Sequence, residues 1–187
     1  MSGRLQIGDS FILMAAVAGF LDTTGIAPLF FIAAALHEAG HALAVRVAGG
    51  QVVCLRLTAL GGVMRYRLSC PNQKADAWIA LAGPLAGLFA AWIAAGLGSF
   101  RFAGANLLLS LLNLLPVRPL DGGQVLEAIS HGRTWQLYLE IACCLLLAAV
   151  SICILSHGGG ASLFLLAVAL SAGLQKNLQK YVNGYKI

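Results

Sequence analysis

Long apolar runs broken by short polar stretches dominate the chain. Runs near the roughly 20 residues that cross the hydrocarbon of a bilayer fall at about 6–22, 28–48, 76–98, 102–116, 135–156 and 160–175. They predict about six transmembrane helices. The first run has Arg4 ahead of it and Ala16-Val17-Ala18 within it, but too short an apolar core precedes that would-be cleavage site for a signal peptide, so it is read as a retained first span. One stretch departs from this pattern: in GGQVVCLRLTALGGVMRYRLSCPNQK, Val53, Leu55 and Leu57 alternate with Cys54, Arg56 and Thr58. Alternation resumes at Arg65, Tyr66 and Arg67, beyond Gly61 and Gly62. A period of two predicts a β-hairpin over 50–69, with an ordinary interfacial loop as the alternative. The expected fold is an all-α polytopic membrane protein with a small hairpin at its cytoplasmic face, organised as one membrane-embedded domain over 1–187.

Composition supports the bilayer as solvent. The 187 residues are 59% hydrophobic and 10% charged, with a mean hydropathy of +0.85. Seven acids and twelve bases cannot cover the surface of a soluble domain of this size. With the N-terminus inside, eleven of the twelve Lys and Arg fall in cytoplasmic segments and only Arg101 lies outside. Topology therefore accounts for the net charge of +5, no nucleic-acid partner is required, and both termini are expected in the cytoplasm. Cys54, Cys70, Cys143, Cys144 and Cys153 show no CxxC spacing and are read as small core hydrophobes.

Chemistry concentrates in FIAAALHEAGHALAVRVAGG, Phe31 to Gly50, where two histidines and a glutamate interrupt an apolar helix. Ionisable groups within a span cost about 2.5–3.5 kcal/mol each on insertion scales, so three together need compensation. On a helix His37 and His41 share one face and can converge on one ion, while Glu38, about 100° round, reaches a water beside that ion. Zinc with two imidazoles and one further ligand keeps a coordination position open for water. That ligand must come from elsewhere in the chain. Asp121 stands in NLLPVRPLDGG, Asn113 to Gly123, where Pro116 and Pro119 interrupt a helix and Gly122 and Gly123 free the backbone. Read alone, Asp121 is either a ligand or a surface Asp-Gly turn, with Glu127 and His131 in reserve. His157 is read as a loop histidine on the outer side, and Gly83 and Gly87 as a GxxxG packing pair.

HEAGH on one span, AGPLAG at Ala82 to Gly87, and NLLPVRPLDGG downstream together resemble the site-2 protease family of intramembrane zinc metalloproteases. The resemblance covers most of the chain and implies one Zn²⁺ per chain on His37, His41 and Asp121. It also implies Glu38 as catalytic base and a site opening toward the cytoplasm. Glu38 would take a proton from the attacking water and return it to the leaving amine. Asn113 would either steady the substrate or oxyanion, or tie helices together. The hairpin would pair with a substrate unwound into an extended strand. Implied partners are the lipid bilayer, a membrane-spanning or membrane-associated protein substrate and a membrane regulatory protein. The small size and lack of a PDZ-like insert are similar to the branch containing stage IV sporulation protein FB, which processes a pro-sigma factor; regulated processing of a pro-sigma or anti-sigma factor is the expected setting. Arg118 departs from the apolar residue or proline expected at its position. The rival readings are a zinc transporter and a metal-binding membrane scaffold. A transporter should offer a second metal station, which the outer half of the chain lacks, and a structural site needs no base beside its ligands.

Overall fold

The computed structural model describes residues 4–59, 61–70, 72–130, 134–157, 168, 170 and 171. In chain order these form β1 (Arg4–Ile7), α1 (Asp9–Leu21), α2 (Ala27–Val47), β2 (Gln51–Thr58), β3 (Gly61–Arg67), α3 (Gln73–Gly96), α4 (Phe100–Asn113), α5 (Asp121–Ser130) and α6 (Thr134–Ser156). Two compact units divide the chain, residues 1–113 and 114–187.

Six spans are not what the described residues contain. Three helices are long and apolar enough to cross a membrane: Ala27–Val47, Gln73–Gly96, and Trp135–Cys153 within α6. The run expected at 6–22 begins as strand β1, and the helix that follows has 13 residues, about 20 Å against roughly 30 Å of hydrocarbon. The run at 102–116 yields the 14-residue α4, because the turn from Leu114 to Leu120 ends it. The sixth expected span, 160–175, lies almost wholly outside the described residues.

In the first unit, α2 buries Ala33, His37, His41 and Val45, one residue in every four, so a single stripe of the helix meets its neighbours. Small residues on α3 let backbones close in on that stripe and on α4. A side chain at Gly40 of α2 would sit 2.6 Å from the Ala82 carbonyl oxygen and 2.7 Å from the Ala86 Cβ, and one at Gly87 of α3 would strike the Ser110 Oγ of α4. Helix α3 thus packs closely on both α2 and α4, which also meet each other. The hairpin expected over 50–69 is present as β2 and β3, antiparallel from Gln51↔Arg67 to Thr58↔Gly61 with an irregularity between Val52 and Cys54. Strand β1 joins β2 in parallel, Arg4↔Cys54 to Ile7↔Leu57, making a three-stranded sheet of order β1-β2-β3.

Asp22 closes the turn between α1 and α2. Its carboxylate accepts from the backbone N–H groups of Thr24 (3.1 Å), Ile26 (3.1 Å) and Ala27 (2.8 Å) and from the Thr24 hydroxyl (3.0 Å). Two of these N–H groups stand at the start of α2, where an anion is favoured. The bonds, that from Ala27 foremost, lower the Asp22 pKa to about 2.

In the second unit, α5 folds back against the turn that precedes it. A side chain at Gly122 would strike the Leu114 carbonyl oxygen, and one at Gly123 would lie 2.6 Å from the Arg118 backbone nitrogen. Val117, Cys144 and Leu170 form an apolar cluster with Leu120, Leu137, Ile141 and Leu147 around it. Beside it runs a polar network. Arg118 bonds Glu140 through Nε and Glu127 through a terminal nitrogen, each at 3.0 Å. Glu140, wholly buried on α6, also accepts from Gln136 Nε2 at 3.2 Å, and Ser130 Oγ donates to Gln136 Oε1 at 2.8 Å. This accounts for the unusual Arg118: it supplies the counter-charge for a carboxylate inside an apolar helix. The cysteines are all free thiols; Cys144 is a core residue as expected, whereas Cys70 and Cys153 are exposed.

Two outcomes follow. Because the folded pKa of Asp22 lies below its ordinary 3.8, its stabilisation is complete above that value and lost as pH falls toward about 2. The stability difference between wild type and Asp22→Asn, measured by thermal unfolding in detergent, should therefore shrink over that interval and be flat at neutral pH. Arg118→Leu should cost about 3–5 kcal/mol by stranding the Glu140 charge, and Arg118→Leu with Glu140→Leu should recover most of it in the same assay.

Candidate metal centre

The second and third turns of the stripe on α2 carry the two histidines, both buried. Their rings meet edge to face, centroids 4.8 Å apart and planes at 82°. The two Nε2 atoms are 3.1 Å apart. His41 Nδ1 lies 2.7 Å from the carbonyl oxygen of Ile79 on α3. A carbonyl can only accept, so Nδ1 carries the proton and the Nε2 lone pair is left to face His37. Two nitrogens bound to a tetrahedral zinc at about 2.0–2.1 Å stand about 3.3 Å apart, so the observed separation fits one ion shared by both rings.

Room for this arrangement comes from Gly83. A side chain there would strike His41 Nε2 and lie 2.8 Å from His37 Nε2. The residue read from the sequence as half of a packing pair therefore lines the histidine pair, while Gly87 one turn on meets Ser110. Glu38, partly buried, has its carboxylate against the sheet. A side chain at Gly62 of β3 would collide with its carboxylate, so the strand backbone passes directly over the glutamate. Tyr66, four residues along β3, donates its hydroxyl to Asp76 in the first turn of α3 at 2.7 Å. Burial, then the Asp76 carboxylate, hold the Tyr66 phenol well above its ordinary range, so it stays a donor. The strand is thus bonded to α3 through Tyr66 and approaches α2, which carries the histidines, closely at Gly62. The GxxxG spacing marked Gly83 for close helix packing without showing that the histidine pair is what it meets, and no spacing marks the contacts of Gly62 or Tyr66.

Among the other expected residues, Asp121 opens α5 in the second unit and is buried, with Gln124 Nε2 at 3.5 Å from its Oδ1. Asn113 ends α4 and turns its amide back to the Leu109 carbonyl at 3.0 Å. Glu127 pairs with Arg118. His157 is exposed and bonds the Cys153 carbonyl at 2.8 Å, as a residue closing a helix does. His131 lies outside the described residues.

No protein-family model matches the chain. In sequence it is similar to the zinc metalloprotease Rip3 of Mycobacterium tuberculosis, 36% identical over 129 residues that make up 60% of this chain and 33% of that protein. It is also similar to the zinc metalloprotease MJ0392 of Methanocaldococcus jannaschii, 27% identical over 113 residues, 54% of this chain and 33% of that protein. The chain spans about a third of the length of these curated relatives. In structure it superposes on the site-2 protease from Methanocaldococcus jannaschii with a TM-score of 0.64 at 21% identity, covering 92% of this chain and 89% of that one. The chain has the fold of a site-2 protease, a membrane-protein fold, with a histidine pair fit for zinc on its second helix.

Proposed function

We infer that the chain is an intramembrane zinc metalloprotease that hydrolyses peptide bonds of membrane-spanning or membrane-associated proteins. The observation that carries this reading is the histidine pair with a carboxylate next to it in the chain: two Nε2 atoms 3.1 Å apart, and Glu38 on the same helix with its carboxylate against the backbone of Gly62. The names of the two sequence relatives support zinc as the ion and proteolysis as the reaction. His37, His41 and Asp121 would hold one zinc, the last on the strength of its burial and its place in the LDGG turn. Bound zinc supplies a Lewis acid that acidifies water and polarises a carbonyl. Glu38 then serves as the base that removes a proton from the attacking water and gives it to the leaving amine. A structural metal site would have no use for that glutamate.

Strand β3 lies at the edge of the sheet and passes over Glu38, which suits it to receive an unwound substrate by backbone pairing. A helical substrate hides its carbonyls in its own hydrogen bonds, and pairing at an edge offers the unwound segment replacement partners. This reading gives Asn113 no part in the reaction, since its amide donates to the Leu109 carbonyl of its own helix. The basic residues of the first unit support a cytoplasmic sheet. Arg4, Arg46, Arg56, Arg65, Arg67 and Lys74 lie on the sheet or at the helix ends next to it, whereas Arg101 bonds the Thr24 carbonyl at the opposite end of α2. The sheet and the Glu38 side are then cytoplasmic.

Glu38→Gln should retain zinc, measured by metal analysis of the purified protein, and lose about 10²–10⁴-fold in cleavage of a co-reconstituted single-span substrate. His41→Ala should lose both metal and cleavage. Undiminished proteolysis by Glu38→Gln would sink the reading. Gly83→Ala should lower zinc occupancy while leaving the far-ultraviolet circular dichroism of the protein unchanged, because its methyl group enters the space of the two rings and not of the helix backbone.

A further inference from the structure

Side chains on β3 alternate strictly between two faces of the sheet. Gly62, Met64 and Tyr66 point inward, fixed by the contact of Gly62 with Glu38 and of Tyr66 with Asp76. Val63, Arg65 and Arg67 point outward and are exposed. Register extends this outer face across the sheet: Arg56 lies opposite Val63, Cys54 opposite Arg65, and Arg4 of β1 beside Cys54. Four exposed arginines, Arg4, Arg56, Arg65 and Arg67, therefore share one face of a sheet whose three strands contain no acidic residue. Among the described ion pairs, none involves these four. Topology accounts for basic residues on this side of the membrane but not for their alignment on one sheet face, where like charges repel and an anionic partner would relieve the repulsion.

We propose that this arginine face is a docking surface for acidic, extended segments of the substrate, which it selects by carboxylates at alternating positions. The inference rests on the proteolytic reading above. A segment paired along the edge of β3, which no strand among the described residues covers, would place every second side chain on the outer face, level with Arg65 and Arg67, and the intervening ones on the side of Gly62 and Glu38. Guanidinium groups bind carboxylates by paired N–H donors, which rewards the correct register. A polypeptide fits better than lipid headgroups for two reasons. The face is the one turned away from α2 and α3, and it continues across the edge that runs over the catalytic base.

The test uses the full chain with zinc, reconstituted in zwitterionic phosphatidylcholine vesicles with single-span substrates differing only beside the scissile bond. One carries Glu at positions i and i+2, one carries the same two Glu at i and i+3, and one carries Lys at i and i+2. The in-register Glu substrate should show a KM about five- to tenfold below the out-of-register one, a gap that closes at high ionic strength. Arg65→Glu with Arg67→Glu should reverse the order, favouring the Lys substrate; the milder Arg65→Gln should narrow the gap, and zinc content with thermal unfolding reports that each variant is folded. Equal KM for all three substrates with the wild type overturns the inference while leaving proteolysis in place. So does an effect of the variants that is the same for every substrate and appears only with anionic lipid, since the face would then be a lipid contact. Failure of the wild type to cleave any substrate would instead overturn the proteolytic reading itself.

Discussion

Two imidazoles on one helix can share an ion only if a neighbouring backbone comes close enough to hold one ring and still leaves space for both. Helix α3 meets that condition at adjacent turns. The Ile79 carbonyl fixes the proton of His41 on Nδ1, and Gly83, one turn on, keeps the space before both Nε2 atoms clear. Both effects need α2 and α3 at a separation that larger residues along the contact would prevent. Gly40 against Ala82 and Ala86 sets that separation. The small residues along α3 are thus part of the chemistry, because the tautomer of a ligand depends on how close a carbonyl can approach it.

The sheet extends the same constraint outward. Strand β3 is held against the helices by Tyr66 on Asp76 and by the bare backbone of Gly62 over Glu38. One side of that strand faces the helices and the other is exposed. This division turns a simple alternation of residues into an apolar inner face and a cationic outer one. A strand at the edge of a sheet is ordinarily a liability, since its unpaired N–H and C=O groups invite pairing. Here that tendency is the property the proposed reaction would use.

The second unit solves a different problem, that of keeping charge inside an apolar helix. Glu140 is wholly buried on α6, and Arg118, Gln136 and Ser130 complete a network around it. Arg118 belongs to the turn that delivers Asp121, so the turn is tied to α6 by charge as well as by the packing of Val117. Gly122 and Gly123 allow the first turn of α5 to fold onto Leu114, Val117 and Arg118, a contact that explains why two glycines follow the aspartate.

How much of this was legible in the sequence follows from the range of each interaction. Helical spacing alone put His37 and His41 on one face and Glu38 beside them, because a separation of three or four residues is decided by local geometry. Alternation likewise announced β2 and β3. It missed β1, since the four residues Arg4 to Ile7 are too few to show a period, straddle the start of the first apolar run and become a strand only by pairing with β2 about fifty positions away. Length in the sequence also overstated the spans, because the strand at one end of the first run and the proline-rich turn after Asn113 shorten α1 and α4. The partners of Arg118, the strand over Glu38, the glycine lining the histidines and the shared face of four arginines were decided by tertiary structure. Each joins residues through contacts between separate elements, and no local periodicity records which elements will meet.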